Sequence, residues 1–152
     1  MTAIRCARRE TDGGLVCRPS RRSASERSME RMPIRVLVVD DDHAVRELLR
    51  LYLERSGRCV VVGEGCDGHD AIRLAGDLKP DVVVLDIAMP GLSGLDALPT
   101  VRRVAPRARI LMYTGHAPVE RSFAVERGAD DFCRKGEPLK AVVERVLALA
   151  HR

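Results

Sequence analysis

Three adjacent carboxylates, Asp40, Asp41 and Asp42, follow directly on the apolar run IRVLVV. Like charges at the end of a buried strand are costly. Two unit charges about 4 Å apart repel by roughly 4 kcal/mol at an effective dielectric of 20. Such a group either raises a carboxyl pKa or recruits a cation. Polar residues end other apolar runs too: DVVVL leads into Asp86, RILMY into Thr114, and DFCR into Lys135. A strand-end Asp often only caps the next helix, and a strand-end Lys is usually solvated. Brought together, however, Asp40, Asp41, Asp86, Thr114 and Lys135 make three carboxylates, a hydroxyl and an ammonium. Lys135 would neutralise one carboxylate. A hard divalent ion would balance the others, and Mg²⁺ accepts all-oxygen ligation with few protein ligands. His43 has no second His or Cys at helical or hairpin spacing, so it is read as the start of a helix and not as a metal ligand.

For these side chains to meet, the runs that carry them must lie in one parallel sheet. Continuous apolar runs suit strands buried on both faces. Five are present, at 34–39, 59–62, 81–85, 109–113 and 130–133. Helical stripes lie between them. Val45, Leu48, Leu49, Tyr52 and Leu53 recur at i, i+3, i+4, i+7 and i+8, as do Leu139, Val142, Val143, Val146 and Leu147. Ala71, Leu74, Ala75 and Leu78 make a shorter stripe. Gly128 is placed as a helix C′ residue and Pro138 at N1 of the last helix. Residues 95–105 contain Pro99, harmless in a first turn and kinking beyond it. Residues 118–127 offer only the thin row Val119, Phe123 and Arg127. The order is (βα)₅. Right-handed crossovers then predict an α/β fold, a doubly wound five-stranded parallel sheet with helices on both faces. Ligands of such sheets sit at the carboxyl ends of the strands, where all five polar residues fall.

A chain of 152 residues has room for one domain with a real core. With 45% hydrophobic and 3% aromatic residues, that core must be aliphatic. No apolar run approaches 18 residues, which excludes a transmembrane helix, and the N-terminus lacks the apolar stretch of a secretory signal. Cys6, Cys17, Cys59, Cys66 and Cys133 are odd in number and include no CxxC. That points away from disulfides and zinc, and toward a reduced, cytoplasmic setting. The net charge of +4 hints at nucleic acid, but its location removes the hint. Residues 1–32 hold eight Arg against four acids, while residues 33–152 hold eighteen charges of each sign. Residues 1–32 are read as a disordered basic extension and 33–152 as the folded domain. No direct nucleic-acid binding by this chain is expected, and no membrane partner.

Over residues 34–150 the chain resembles the receiver domain of two-component response regulators. The resemblance is carried by VLVVDDD, VVVLDIAMPGLSG, ILMYTGHA, GADDF and the lysine of CRKGEP, all in the family's order and spacing. It implies a flavodoxin-like topology and a phosphorylation-dependent switch, not an enzyme. It implies that Asp86 is the phosphoacceptor, supplied by a sensor histidine kinase or a phosphotransfer protein. Asp40, Asp41, Asp86 and the backbone carbonyl of Ala88 would hold Mg²⁺. Lys135 would pair with Asp86 and then with a phosphoryl oxygen, Thr114 would bond another, and Phe132 would rotate into the space vacated. The surface of residues 114–145 would then engage an output protein, and a homodimer is compatible with this scheme. Asp42 stands where the family is variable and is read as the cap of the first helix. DIAMPG and VVGEGCDG are most similar to a subfamily whose members often carry a helix-turn-helix output domain. The chain stops at Arg152 with no linker, so a stand-alone regulator and the receiver fragment of a DNA-binding regulator both stay open.

Two positions depart from the pattern. Lys135 is followed by Gly136, where relatives often have proline with a cis peptide. A cis bond before glycine costs about 2.5–4 kcal/mol, which leaves the loop geometry open. Ala88 is often polar in relatives. Ala88 and His116 are expected to set the lifetime of the acyl phosphate.

A rival reading rests on Gly63, Gly65 and Gly68, a GxGxxG between a strand and a helix, with Asp86 ending the next strand. This approaches the dinucleotide-binding fingerprint. It leaves Asp40, Asp41, Thr114 and Lys135 idle, and it places the motif on the second strand, not the first. An aspartyl phosphatase would want a second Asp at position 88, where Ala88 stands.

Overall fold

The computed structural model describes residues 32–115 and 119–152. The expected disorder of residues 1–32 lies outside the described residues except at Met32, and so does His116. The folded unit runs from Met32 to Arg152. Strands and helices alternate through it: β1 (Ile34–Val39), α1 (His43–Arg55), β2 (Cys59–Gly65), α2 (Gly68–Leu78), β3 (Val82–Leu85), α3 (Gly94–Val104), β4 (Arg109–Thr114), α4 (Val119–Glu126), β5 (Asp131–Arg134) and α5 (Leu139–Ala150). The five strands form one sheet in the order β2-β1-β3-β4-β5, and all pairs are parallel.

Successive strand residues point to opposite faces, and each face has its own core. Leu37, Val39, Val83, Leu85, Ile110, Met112 and Phe132 pack under α2 and α3, with Ala124 of α4. Val36, Val38, Val82, Val84, Leu111, Tyr113 and Cys133 pack under α1 and α5. The aliphatic core expected from composition is present. Phe132 and Tyr113 are its two aromatic members, one on each face.

Several expectations need correction. β2 continues through Gly63 and Gly65, three residues beyond the predicted end. Glycine disfavours strands, but here close packing demands it. A Cβ at Gly63 would lie 2.5 Å from Leu78 Cδ1, and one at Gly65 would lie 2.8 Å from Asp70 Cβ. Pro99 is not in the first turn of α3 but is its sixth residue. Lacking an N–H, it leaves the Leu95 carbonyl without its helical donor, and Arg127 Nη1 donates to that oxygen instead, at 3.3 Å. The same nitrogen lies 3.0 Å from Asp96 Oδ1. Arg127 is therefore a tie between helices, and Phe123 in the same row is half exposed. Among the described side chains of α4, the buried one is Ala124. On α1, Leu49 and Leu53 are buried while Leu48 and Tyr52 remain largely exposed. Pro138 stands one step before the first residue of α5, not at N1. Gly128 has φ +107, the left-handed conformation expected of a residue closing α4.

Candidate functional site

The carboxyl ends of β1, β3, β4 and β5 bring the predicted residues to one edge of the sheet. Asp40 and Asp86 are 1% and 3% exposed and Thr114 is fully buried, whereas Asp41 is exposed. One carboxylate oxygen from each of Asp40, Asp41 and Asp86 lies within 4.8 Å of the others. Lys135 Nζ donates to Asp86 Oδ2 at 2.8 Å and lies 2.6 Å from Asp40 Oδ2. The lysine thus bridges two carboxylates, where neutralisation of one was expected. Its ammonium also sits 5.9 Å from the centre of the Tyr113 ring.

Local structure explains each position. The Asp86 N–H donates to Val39 O at 2.9 Å, which sets β3's end against β1. Asp40 N–H donates to Gly65 O at 3.1 Å, and Asp40 Oδ1 accepts from the Asp42 amide at 3.0 Å. Asp42 itself caps α1 through the Ala44 N–H, as expected. Lys135 N–H donates to Thr114 O at 2.8 Å, joining the ends of β4 and β5. The turn after Lys135 closes through two bonds between Arg134 and Glu137, and Gly136 adopts φ +103. No cis peptide occurs among the described residues. Glycine here supplies a left-handed turn residue. Phe132 is already buried, in the cluster with Met112 and Ala124.

Gly94, which sequence reading passed over, controls the position of Asp86. A Cβ there would lie 1.8 Å from the Asp86 carbonyl oxygen, and Gly94 N–H donates to Ile87 O. Gly94→Ala is expected to destabilise the fold by about 2–3 kcal/mol, the upper range for overpacking, as read by urea denaturation. The signal in the sequence was a glycine at the first position of a helix, where a side chain normally does no harm.

The electrostatics are strained in a specific direction. Burial pushes the Asp40 carboxyl above its ordinary 3.8, with Asp86's charge adding and the Lys135 and Asp42 hydrogen bonds opposing. Burial pulls Lys135 down, but its hydrogen bonds to Asp40 and Asp86 outweigh this and hold the ammonium above its ordinary 10.5. Three carboxylates against one ammonium leave two negative charges uncompensated. Asp86 Oδ1 is buried and accepts no hydrogen bond among the described residues. An all-oxygen group with two spare negative charges and an orphaned buried oxygen fits a hard divalent cation.

Residues 36–147 match the response regulator receiver domain family. The chain belongs to this family. It is a receiver domain, a signalling phosphoacceptor and not a classical enzyme. Response regulator MprA of Mycolicibacterium vanbaalenii is 41% identical over 122 residues, 80% of this chain and 52% of that protein. The receiver thus spans about half the length of the curated relatives it matches. The signal receiver domain of the putative response regulator NarL from Mycobacterium tuberculosis is 35% identical with a TM-score of 0.75, covering 78% of this chain and 97% of that one. A CheX–CheY complex with BeF3 and Mg²⁺ from Borrelia burgdorferi contains a chain 25% identical to it, with a TM-score of 0.72, covering 78% of this chain and 90% of that one. The strand order of the receiver is the flavodoxin-like one expected.

The dinucleotide reading fails on the same geometry. Gly63 and Gly65 serve packing under α2, and a Cβ at Gly68 would lie 2.5 Å from Leu92 O. The Gly68 N–H is already given to Leu92 O. The next amides at this helix start serve carboxylates: Asp70 N–H donates to Asp67, and Cys66 N–H to Asp70. Hydrogen bonding to Arg73 holds Asp70 below its usual range, so a pyrophosphate would meet negative charge there.

Among the described residues no helix is long and apolar enough to cross a membrane. Cys59 and Cys133 are buried free thiols and Cys66 an exposed one. Burial pushes Cys133 up to about 11, which makes it a packing residue and not a nucleophile.

Proposed function

We propose that Asp86 is the phosphoacceptor and that its phosphorylation, supplied by a sensor histidine kinase or a phosphotransfer protein, switches a protein-interaction surface. The observation that carries this is Asp86 itself: a buried carboxylate held by Lys135, with one oxygen that accepts no hydrogen bond among the described residues, beside two further aspartates. The Asp86 carboxylate attacks phosphorus, the P–N bond of the phosphohistidine breaks, and its electron pair leaves on the imidazole nitrogen. Asp40, Asp41, Asp86 and the Ala88 carbonyl would hold Mg²⁺, which when bound neutralises phosphoryl oxygens and favours in-line displacement. Lys135 is placed to follow the new charge from the carboxylate to a phosphoryl oxygen. The Thr114 hydroxyl takes another, drawing the loop after β4 toward β3. Phe132 would respond from a ring that is already buried. The readout surface is residues 114–145, and the setting is cytoplasmic.

The test is incubation with a small phosphodonor such as acetyl phosphate, with and without Mg²⁺. Acid-labile phosphate that requires Mg²⁺ is expected, and its absence overturns the reading. The two exposed aspartates should separate cleanly. Asp41→Ala is expected to weaken Mg²⁺ binding beyond detection by calorimetry. Asp42→Ala is expected to leave Mg²⁺ binding intact and to lower stability by about 1 kcal/mol through the lost helix cap. Ala88 is exposed beside Asp86 and has no group to contact an attacking water. Ala88→Asn is expected to change the decay rate of the acyl phosphate, measured by loss of label after the donor is removed; an unchanged rate removes Ala88 from that role.

Two outputs fit this switch, a separate partner protein and an attached DNA-binding domain. The receiver matches 52% of MprA, so that relative has further chain outside its receiver.

A further inference from the structure

Arg46 lies at the end of the first turn of α1, and its side chain is only 14% exposed. Its guanidinium reaches back toward β1, where Nη1 donates to the Asp40 carbonyl oxygen at 2.6 Å. Its Nε lies 3.6 Å from Glu64 Oε2 on β2, and Arg50 Nη1 holds the other oxygen of Glu64 at 3.0 Å. The Asp40 carbonyl belongs to the peptide that joins Asp40 to Asp41. Asp40 is held independently through its own N–H and through Oδ1. Asp41 is exposed, so the plane of that peptide decides where its carboxylate points.

We propose that Arg46 is a positioning residue for the acidic site: it locks the Asp40–Asp41 peptide so that Asp41 converges with Asp40 and Asp86 on a divalent cation, and Glu64 holds Arg46 in place. This rests on the reading of Asp40, Asp41 and Asp86 as a Mg²⁺ site. Charge alone predicts the opposite sign, because deleting a cation near three carboxylates should tighten Mg²⁺ binding. In Arg46→Met, direction therefore separates positioning from electrostatics.

The test is calorimetric titration of Mg²⁺ into wild type, Arg46→Met and Glu64→Gln, with thermal unfolding in the absence of Mg²⁺ to confirm that each is folded. Arg46→Met is expected to raise the Mg²⁺ dissociation constant by about tenfold or more, as loss of a group that orients metal ligands typically does. Glu64→Gln is expected to raise it by less. A purely structural role would lower the unfolding temperature and leave the dissociation constant of the folded protein unchanged, and that result overturns the proposal, as does tighter binding. If Arg46→Met does not fold, an unchanged constant in Glu64→Gln overturns it instead. Wild type that binds no Mg²⁺ overturns the metal-site reading itself, which is a different failure from a wild type that binds and variants that match it.

Discussion

Asp86→Asn is expected to take up no Mg²⁺-dependent acid-labile phosphate from a small phosphodonor, while wild type is labelled. The substitution preserves shape, so the Lys135 contact at Oδ2 and the main-chain bond to Val39 O have no steric reason to fail. What is removed is the nucleophile and one of two buried negative charges. Because Asp86's charge helps to push the Asp40 carboxyl up, the variant should also unfold at a higher temperature than wild type when no Mg²⁺ is present. The pairing of lost labelling with retained or raised stability distinguishes loss of chemistry from loss of fold. Labelling that persists at the wild-type level would move the phosphoacceptor elsewhere.

Lys135→Ala should be the most destabilising change at the site. It leaves Asp40 and Asp86, both almost fully buried, without their shared cation. Removing one member of a buried ion pair costs about 3–5 kcal/mol. Because Lys135 is itself a quarter exposed, the lower end, about 3 kcal/mol at pH 7, is expected by chemical denaturation. The pH dependence has a definite sign. Lys135's folded pKa is raised, so its contribution is full below its ordinary 10.5 and is lost as pH rises through the raised value. The deficit of the variant should therefore vanish in strong base. At the acid end, Asp40's pKa is raised as well, and the Lys135 hydrogen bond opposes that rise. Without the lysine the rise is larger. Ionised Asp40 is the destabilising form, so the deficit should shrink as pH falls through its raised value. Mg²⁺ should shrink it too, because the variant's site lacks the lysine's positive charge beside Asp40 and Asp86, binds the cation more tightly than wild type, and so gains more stability from it. A deficit that is flat across pH and insensitive to Mg²⁺ would show that Lys135 acts through packing alone.

Much of this molecule is legible from one dimension. The apolar runs predicted all five strands because a parallel sheet covered on both faces leaves no polar alternation to blur them. The strand-end residues followed from the rule that βα units place such ends on one edge. Asp42 was legible as a cap because helix starts need a local acceptor. Legibility failed where a residue's role depends on something distant in the chain. The expected second strand stops at residue 62, with Gly63 and Gly65 read only as part of a GxGxxG, and it is the approach of Leu78 and Asp70 that explains glycine within the strand. Pro99 read as a first-turn residue or a kink. The donor that accommodates it, Arg127, lies 32 residues away. Phe123 and Arg127 have helical spacing but are exposed, because burial is set by which side α3 and the sheet occupy.

The sequence by itself determined the strand set, the aliphatic core, and the membership of Asp40, Asp41, Asp86, Thr114 and Lys135 in one site. These follow from local periodicity and from a topology with few alternatives. Only the tertiary structure decided how those residues share their charge: Lys135 bridging two carboxylates, Asp86 Oδ1 buried without a donor among the described residues, Gly94 yielding space to the Asp86 carbonyl, and Arg46 gripping the peptide between Asp40 and Asp41. Spacing along a chain states which groups can meet at a strand end. Distances of a few ångströms between those groups depend on how helices settle on the sheet, and at an effective dielectric near 20 those distances set the energies.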